Sequence, residues 1–225
     1  MIRLAGRRAV VTGGTRGIGK ATVDAFRSAG AEAIAVARST HGDLSDPCTS
    51  EDAAKAIGAI DFLVVNHGVW VSEGVTLAQM PPTQWTSTVA QNLDSVFYVV
   101  RAFRALLRPG GAIVIVSSTA GQRGEAMHAD YAATKGALIA LTKSLAVELA
   151  PQVRVNCVAP GWADTDMARP VYGDGAKAAI EAGIPLKRVA SAEDVAGPIV
   201  FLCSDLARHI TGEVLNVNGG SVLCG

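Results

Sequence analysis

Apolar runs of strand length alternate with longer helical patterns along the whole chain, and that alternation admits few folds. A helix that carries the chain back across a sheet makes the next strand parallel to the last, so the pattern predicts a parallel sheet wrapped by helices. Ala9-Val10-Val11 is the first run, followed by a glycine turn and a helix to about Ser28, closed by Gly30. Ala33–Ala37 is the second strand, and Ile60–Val65 (IDFLVV) is apolar on both faces, as a central parallel strand should be. A long helix is expected from about Thr83 to Leu107, stopping at Pro109-Gly110, then a strand at Ala112–Val116. A helix from about Asp130 to Leu149 and strands at Val153–Val158 and Val214–Val217 complete the pattern.

The stretch ARSTHGDLSDPCTSEDAAKAIGA, before the strand at Ile60, is too short for two crossovers and a strand. A crossover with its helix takes at least ~10–12 residues. His41–Leu44 is expected as a stub of third strand and Ser50–Ile57 as one short helix, with the crossover helix between the second and third strands missing. The fold class expected is α/β, a Rossmann-like doubly wound parallel sheet in a single domain spanning residues 1–225, shortened between the second and fourth strands.

Lys+Arg and Asp+Glu both number 20, so charge offers no reason to expect nucleic acid or an anionic membrane as partner. No segment approaches the roughly 20 apolar residues of a membrane span. The amino terminus MIRLAGRRAVVTGG reads as a strand lead-in rather than a signal peptide, which predicts a cytoplasmic protein. Cys48, Cys157, Cys203 and Cys224 show neither CxxC pairing nor a histidine at ligand spacing. They are expected as buried, reduced thiols, with no metal site.

Thr12-Gly13-Gly14-Thr15-Arg16-Gly17-Ile18-Gly19 follows a strand and opens a helix. There a dinucleotide pyrophosphate can approach backbone N–H groups where the helix dipole favours negative charge. A Cβ at Gly13, Gly17 or Gly19 would block the turn, the approach or the helix–strand packing. At the end of the second strand a carboxylate would accept from the ribose 2′-OH of NAD; the chain has Ala37-Arg38. Arg38, with Arg16 nearby, can fork onto a 2′-phosphate, which predicts NADP(H) as preferred cofactor, NAD(H) being the alternative.

Tyr131-Ala132-Ala133-Thr134-Lys135 lies in the first turns of a helix, where residues four apart share one face about 6 Å apart. A nearby ammonium favours a phenolate and lowers its pKa from about 10, as proton transfer to a carbonyl requires. Ser118 stands thirteen residues before Tyr131, just past the AIVIV strand, at the sheet edge where such folds bind ligands. Its hydroxyl can bond a substrate oxygen, while Ser117 points elsewhere.

Taken in order, TGGTRGIG, Asn92 in QNLDSVF, Ser118 in IVSS, YAATK and PGWADT resemble the short-chain dehydrogenase/reductase family over nearly the whole chain, to the closing ITGEVLNVNGG. The single-domain 3-oxoacyl-[acyl-carrier-protein] reductases are the most similar in pattern. The resemblance implies Tyr131 as general acid/base, Ser118 orienting the substrate oxygen, Lys135 lowering the tyrosine pKa and holding the nicotinamide ribose, and Asn92 holding a relay water. It implies cofactor contacts at Gly13, Thr15, Arg16, Gly17, Ile18, Gly19, Arg38, Asp43, Leu44, Asn66, Gly68, Tyr131, Lys135, Pro160, Gly161 and Thr165. The chain departs from the family's N-N-A-G with Val65-Asn66-His67-Gly68, where a hydrogen-bonded structural histidine is the expectation for His67.

Residues 162–190 resemble the family's variable substrate loop, and Met167, Pro170, Val171 and Tyr172, with Gly173 and Gly175 as hinges, suggest a partly apolar lid. Trp70, Met127 and His128 are candidates to line the pocket. An acyl carrier protein would require a basic patch, for which Arg123, Arg169 and Lys177 are candidates. The resemblance also implies a homo-oligomer, tetramer or dimer, built on the two long helices and the last strand. The expected activity is hydride transfer between NADP(H) and a carbonyl or secondary alcohol, 3-oxoacyl thioesters among the candidate substrates. An NAD-linked dehydrogenase of a polyol, sugar, steroid or cyclic diol is the alternative, and a non-catalytic nucleotide-binding regulator is the third reading.

Overall fold

The computed structural model describes residues 2–173 and 175–224. One sheet of six parallel strands forms from β1 (Arg8–Thr12), β2 (Glu32–Val36), β3 (Ile60–Val65), β4 (Leu107–Val116), β5 (Val153–Pro160) and β6 (Val214–Val217). The strand order is β2-β1-β3-β4-β5-β6. Between the strands run helices α1 (Gly17–Ser28), α2 (Arg38–His41), α3 (Pro47–Ile57), α4 (Pro82–Val89), α5 (Ser95–Phe103), α6 (Thr119–Arg123) and α7 (Ala129–Leu149). Helices α8 (Ala176–Gly183) and α9 (Ala192–Cys203) precede the last strand.

The central strands are apolar throughout because they are buried on both sides. Successive side chains point to opposite faces, so Val10, Leu63 and Ile113 enter one core with Phe103 and Leu138. Their neighbours Val11, Val64 and Val114 enter a second core with Phe26 and Ile199. The carboxylate of Asp61, the polar residue in IDFLVV, is satisfied by Arg7 at 2.9 Å, Arg108 at 3.0 Å and the Arg8 N–H at 2.8 Å.

Three expectations require correction. First, His41–Leu44 is not a strand: Arg38–His41 forms the single helical turn α2. The Asp43 carboxylate then accepts from the Ser45 N–H at 3.0 Å and its hydroxyl at 2.8 Å, a local turn that competes with sheet pairing. β2 is therefore the edge, and the outer strand of the 3-2-1-4-5-6 order is absent among the described residues. Second, the long helix is not uniform: Ala90–Asp94 is a π-helical segment between α4 and α5. It ends by Leu106, and Leu107 pairs with Ile60 ahead of a register shift, so Pro109-Gly110 lie within β4. Third, only Cys157 and Cys203 are buried; Cys48 and Cys224 are exposed, one in the solvent-facing first turn of α3 and one past the last strand.

From β1 the chain winds to β2 on one side and then to β3 on the other. The loops leaving β1 and β3 consequently part in opposite directions and open a crevice at the carboxyl edge of the sheet.

Candidate active site

That crevice is a cavity of about 750 Å³, within the range of small-ligand sites. Of the proposed site residues, Gly13, Thr15, Arg16, Gly17, Ile18, Arg38, Asp43, Leu44, Asn66 and Gly68 line it from one end. Ser118, Tyr131, Lys135, Pro160 and Gly161 line it from the other, and Thr165 lines it against Gly17. Gly19 and Asn92 lie behind its wall.

The glycine turn is bare where a ligand's phosphates would approach. Gly13 has φ 66°, and a Cβ there would come within 3.0 Å of Asn66 Nδ2 and 3.1 Å of His67 Cα. A Cβ at Gly17 would stand 3.3 Å from the Thr165 methyl, so Thr165 faces the turn across the cavity. Exposed backbone N–H groups at the start of α1 in a cavity of this size fit a dinucleotide.

At the far end, Lys135 is buried and its Nζ donates to the Val116 carbonyl at 3.0 Å, standing 5.7 Å from the Tyr131 ring centroid. Ser117 points away, its hydroxyl bonding the Lys135 carbonyl at 2.7 Å, whereas Ser118 faces the cavity. Burial pushes the Tyr131 phenol up to about 12, against a hydrogen bond from Ser118 that favours the phenolate, and the Glu125 charge adds to the rise. The expected lowering by Lys135 is therefore not present in this state. Burial dominates, and Lys135 is itself pushed down to about 8 by desolvation. The phenol is thus held protonated, as an acid that delivers its proton to a carbonyl oxygen must be.

Asn92 sits in the π-helical segment, a feature frequent at functional sites. Its side chain clamps Val69 on both backbone groups, Oδ1 accepting at 2.7 Å and Nδ2 donating at 2.9 Å. Gly68 leaves room for this, since a Cβ there would lie 3.0 Å from Asn92 Oδ1 and 3.6 Å from Lys135 Nζ. His67 bridges the Thr12 hydroxyl at 2.7 Å and the Ser95 hydroxyl at 2.9 Å, the structural role expected of it. Burial, helped by the Lys135 charge, holds it neutral with a pKa of about 3.

Two positioning features escaped the sequence reading. Asp130 accepts from Thr88 at 2.8 Å, Gln84 at 3.1 Å and the Tyr131 N–H at 2.8 Å, locking the start of α7 to α4. Burial opposes its ionisation, but these bonds hold its carboxyl below the usual range. An acid in a first helical turn was the available signal. Gly121 lets α6 rest on α7, where a Cβ would stand 2.5 Å from the Lys135 carbonyl carbon. Only the tertiary contact reveals that need.

At the adenosine end, Arg38 Nη2 bonds Asp43 at 2.8 Å and Gln91 at 3.3 Å, so the arginine and aspartate proposed separately form one pair. At the mouth, Trp70 and Trp162 line the cavity, whereas Met127 and His128 do not; His128 stacks behind Trp70 at 5.0 Å. The basic patch is not assembled. Arg169 pairs with Asp166 at 2.5 Å and Lys177 with Asp164 at 2.8 Å, leaving Arg123 alone of the three without an acidic partner among the described residues.

A glycine-lined crevice ending in Ser118, Tyr131 and Lys135 defines an oxidoreductase of carbonyl and alcohol groups, and comparison with known proteins gives the family. The family model described as "Enoyl-(Acyl carrier protein) reductase" matches residues 41–221. The 3-oxoacyl-[acyl-carrier-protein] reductase of Salmonella typhimurium is 37% identical over 239 residues, covering 96% of this chain and 97% of that protein. L-xylulose reductase of Bos taurus is 38% identical over 240 residues, covering 97% and 98%. The solved structure of a short-chain dehydrogenase/reductase, glucose/ribitol dehydrogenase, from Brucella melitensis matches with TM-score 0.94 at 32% identity, covering 99% of each chain. The chain belongs to the short-chain dehydrogenase/reductase family, and it is an enzyme that uses a nicotinamide cofactor.

Proposed function

We propose that the chain is an NADP(H)-dependent reductase of ketones, 3-oxoacyl thioesters included, with Tyr131 as its proton donor. The observation that carries this reading is the convergence of Ser118, Tyr131 and Lys135 on one end of a cavity whose other end is the bare glycine turn. When bound, a nicotinamide cofactor supplies the hydride. Ser118 orients the substrate oxygen, Tyr131 gives that oxygen its proton, and Lys135 holds the ribose. Asn92 and Gly68 keep open the route by which Lys135 regains a proton from water. Residues 162–190 close over the substrate, with Met167 and Trp162 on the cavity side.

Arg16 and Arg38 would hold the 2′-phosphate, Nη1 and Nε of Arg38 having no other partner among the described residues. Charge-assisted bonds contribute about 1.5–3 kcal/mol each. Arg38→Asp is therefore expected to lower the NADPH/NADH ratio of kcat/KM by about tenfold to a hundredfold. NADPH consumption over a panel of ketones and 3-oxoacyl thioesters tests the activity and this ratio together, and an unchanged ratio would remove Arg38 from the site. A second reading, an NAD-linked polyol or sugar dehydrogenase, is favoured by one observation: Asp43 partly neutralises Arg38.

Arg123, without an acidic partner among the described residues, would be the basic contact for an acyl carrier protein. Free thiols, two of them exposed, fit a reducing compartment such as the cytoplasm, and no helix of the described residues is long and apolar enough to cross a membrane. Phe97 on α5 and Val147 on α7 are 52% and 82% exposed, apolar side chains that a homodimer or homotetramer would cover. Gel filtration giving a monomer at micromolar concentration would overturn that assembly.

A further inference from the structure

The reacting end of the cavity holds a charged group that the chemistry above leaves unused. Glu125 lies in the loop between α6 and α7, whose course is set by left-handed backbone at Gly124 (φ 75°) and Met127 (φ 68°). The loop is pinned from outside, the Met127 carbonyl accepting from the Val75 N–H at 2.8 Å. Glu125 lines the same cavity as Ser118 and Tyr131, and its negative charge reaches the phenol, favouring the protonated form. Its carboxylate has no hydrogen-bonding or ionic partner among the described residues, although Arg123 lines the cavity two residues away. In the same cavity Trp70 and Trp162 meet edge to face at 6.0 Å, and Tyr172 backs Trp162 at 6.1 Å.

We propose that Glu125 is a specificity-determining residue, selecting neutral carbonyl substrates that carry a hydroxyl beside the reacting carbon and rejecting those with a carboxylate there. The inference rests on the ketone-reductase reading and narrows its substrate class to hydroxyketones, with 3-oxoacyl thioesters, which lack that hydroxyl, as poorer substrates. A free carboxylate accepts but cannot donate, so the substrate group that satisfies it must carry a proton. A hydroxyl next to the carbonyl does so through a charge-assisted bond. A carboxylate in the same place meets a like charge in a site partly closed to water, which is destabilising. Trp70 and Trp162 offer broad apolar faces and, at the indole N–H, a donor but no acceptor, so a substrate hydroxyl that donates finds its partner in the carboxylate.

Hydroxyacetone and pyruvate test it, since they share a methyl ketone and differ in bearing CH₂OH or carboxylate. In the native enzyme kcat/KM should favour hydroxyacetone. Glu125→Gln should lower the hydroxyacetone/pyruvate ratio by about tenfold to a hundredfold, the value of a charge-assisted bond. Glu125→Asp, which keeps the charge, should retain most of the preference. A ratio unchanged in the glutamine variant, or lost equally in both variants, would overturn the specificity role while leaving the reductase reading intact. So would a native enzyme that reduces other ketones but neither probe. A native enzyme that reduces no ketone with either cofactor would overturn the reductase reading, and this inference with it.

Discussion

Tyr131→Phe is expected to lower kcat by about 10²–10⁴-fold, the usual contribution of a positioned general acid, while cofactor affinity and thermal stability stay close to native. The variant removes one oxygen and nothing else. The ring remains beside Lys135, whose Nζ is already bonded to the Val116 carbonyl, so the wall of the cavity is unchanged. What is lost is the proton that the phenol, held up at about 12 by burial, carries at every working pH. Steady-state turnover with a titration of NADPH binding separates the two effects. Full activity in the variant would end the mechanism; loss of binding along with activity would show that the phenol's contact with the cofactor outweighs its proton. The same arrangement sets the pH dependence of kcat/KM in the native enzyme. Below about 8 Lys135 carries its proton, and above that value it loses it, so carbonyl reduction should decline as pH rises through 8 although Tyr131 is still protonated. A profile level to pH 10 would show that the ammonium is not required.

Gly19→Ala should damage both stability and cofactor binding. A Cβ at Gly19 would lie 2.1 Å from the Gly13 carbonyl oxygen and 2.6 Å from Asn66 Nδ2. The first of these is backbone and cannot rotate aside, so the turn itself must shift. Overpacking of this kind costs roughly 1–3 kcal/mol, and contact with backbone puts it at the upper end. About 3 kcal/mol lowers Tm by roughly 6–12 °C in a domain of this size. Because Gly13 and Asn66 also line the cavity, NADPH affinity should fall by about a hundredfold, and calorimetry with a binding titration measures both. A variant with native Tm and native affinity would show that the turn has slack the structure does not display.

Much of the site was legible in residue order. TGGTRGIG, Ser118 and YAATK are local patterns whose spacing carries their geometry, because a strand, a turn and one helix face place them without help from distant residues. IDFLVV was legible for a similar reason, since a strand buried on both faces has no polar side to conceal it. One failure came from a local turn competing with strand pairing, the other from a contact between distant residues. His41–Leu44 looked like strand, but Asp43 turns onto Ser45 and pairs with Arg38. The helix around Asn92 looked regular, yet it widens into a π turn where that side chain must reach Val69.

By itself, then, the sequence determined the sheet, the glycine turn and the family of chemistry, because those depend on periodicity and on spacings of a few residues. Tertiary structure alone decided the protonation of that chemistry. How deeply Tyr131 and Lys135 are buried is set by packing rather than by neighbours in sequence, and that burial outweighs the groups that reach them, Ser118 and Glu125 at the phenol and Cys157 at the ammonium.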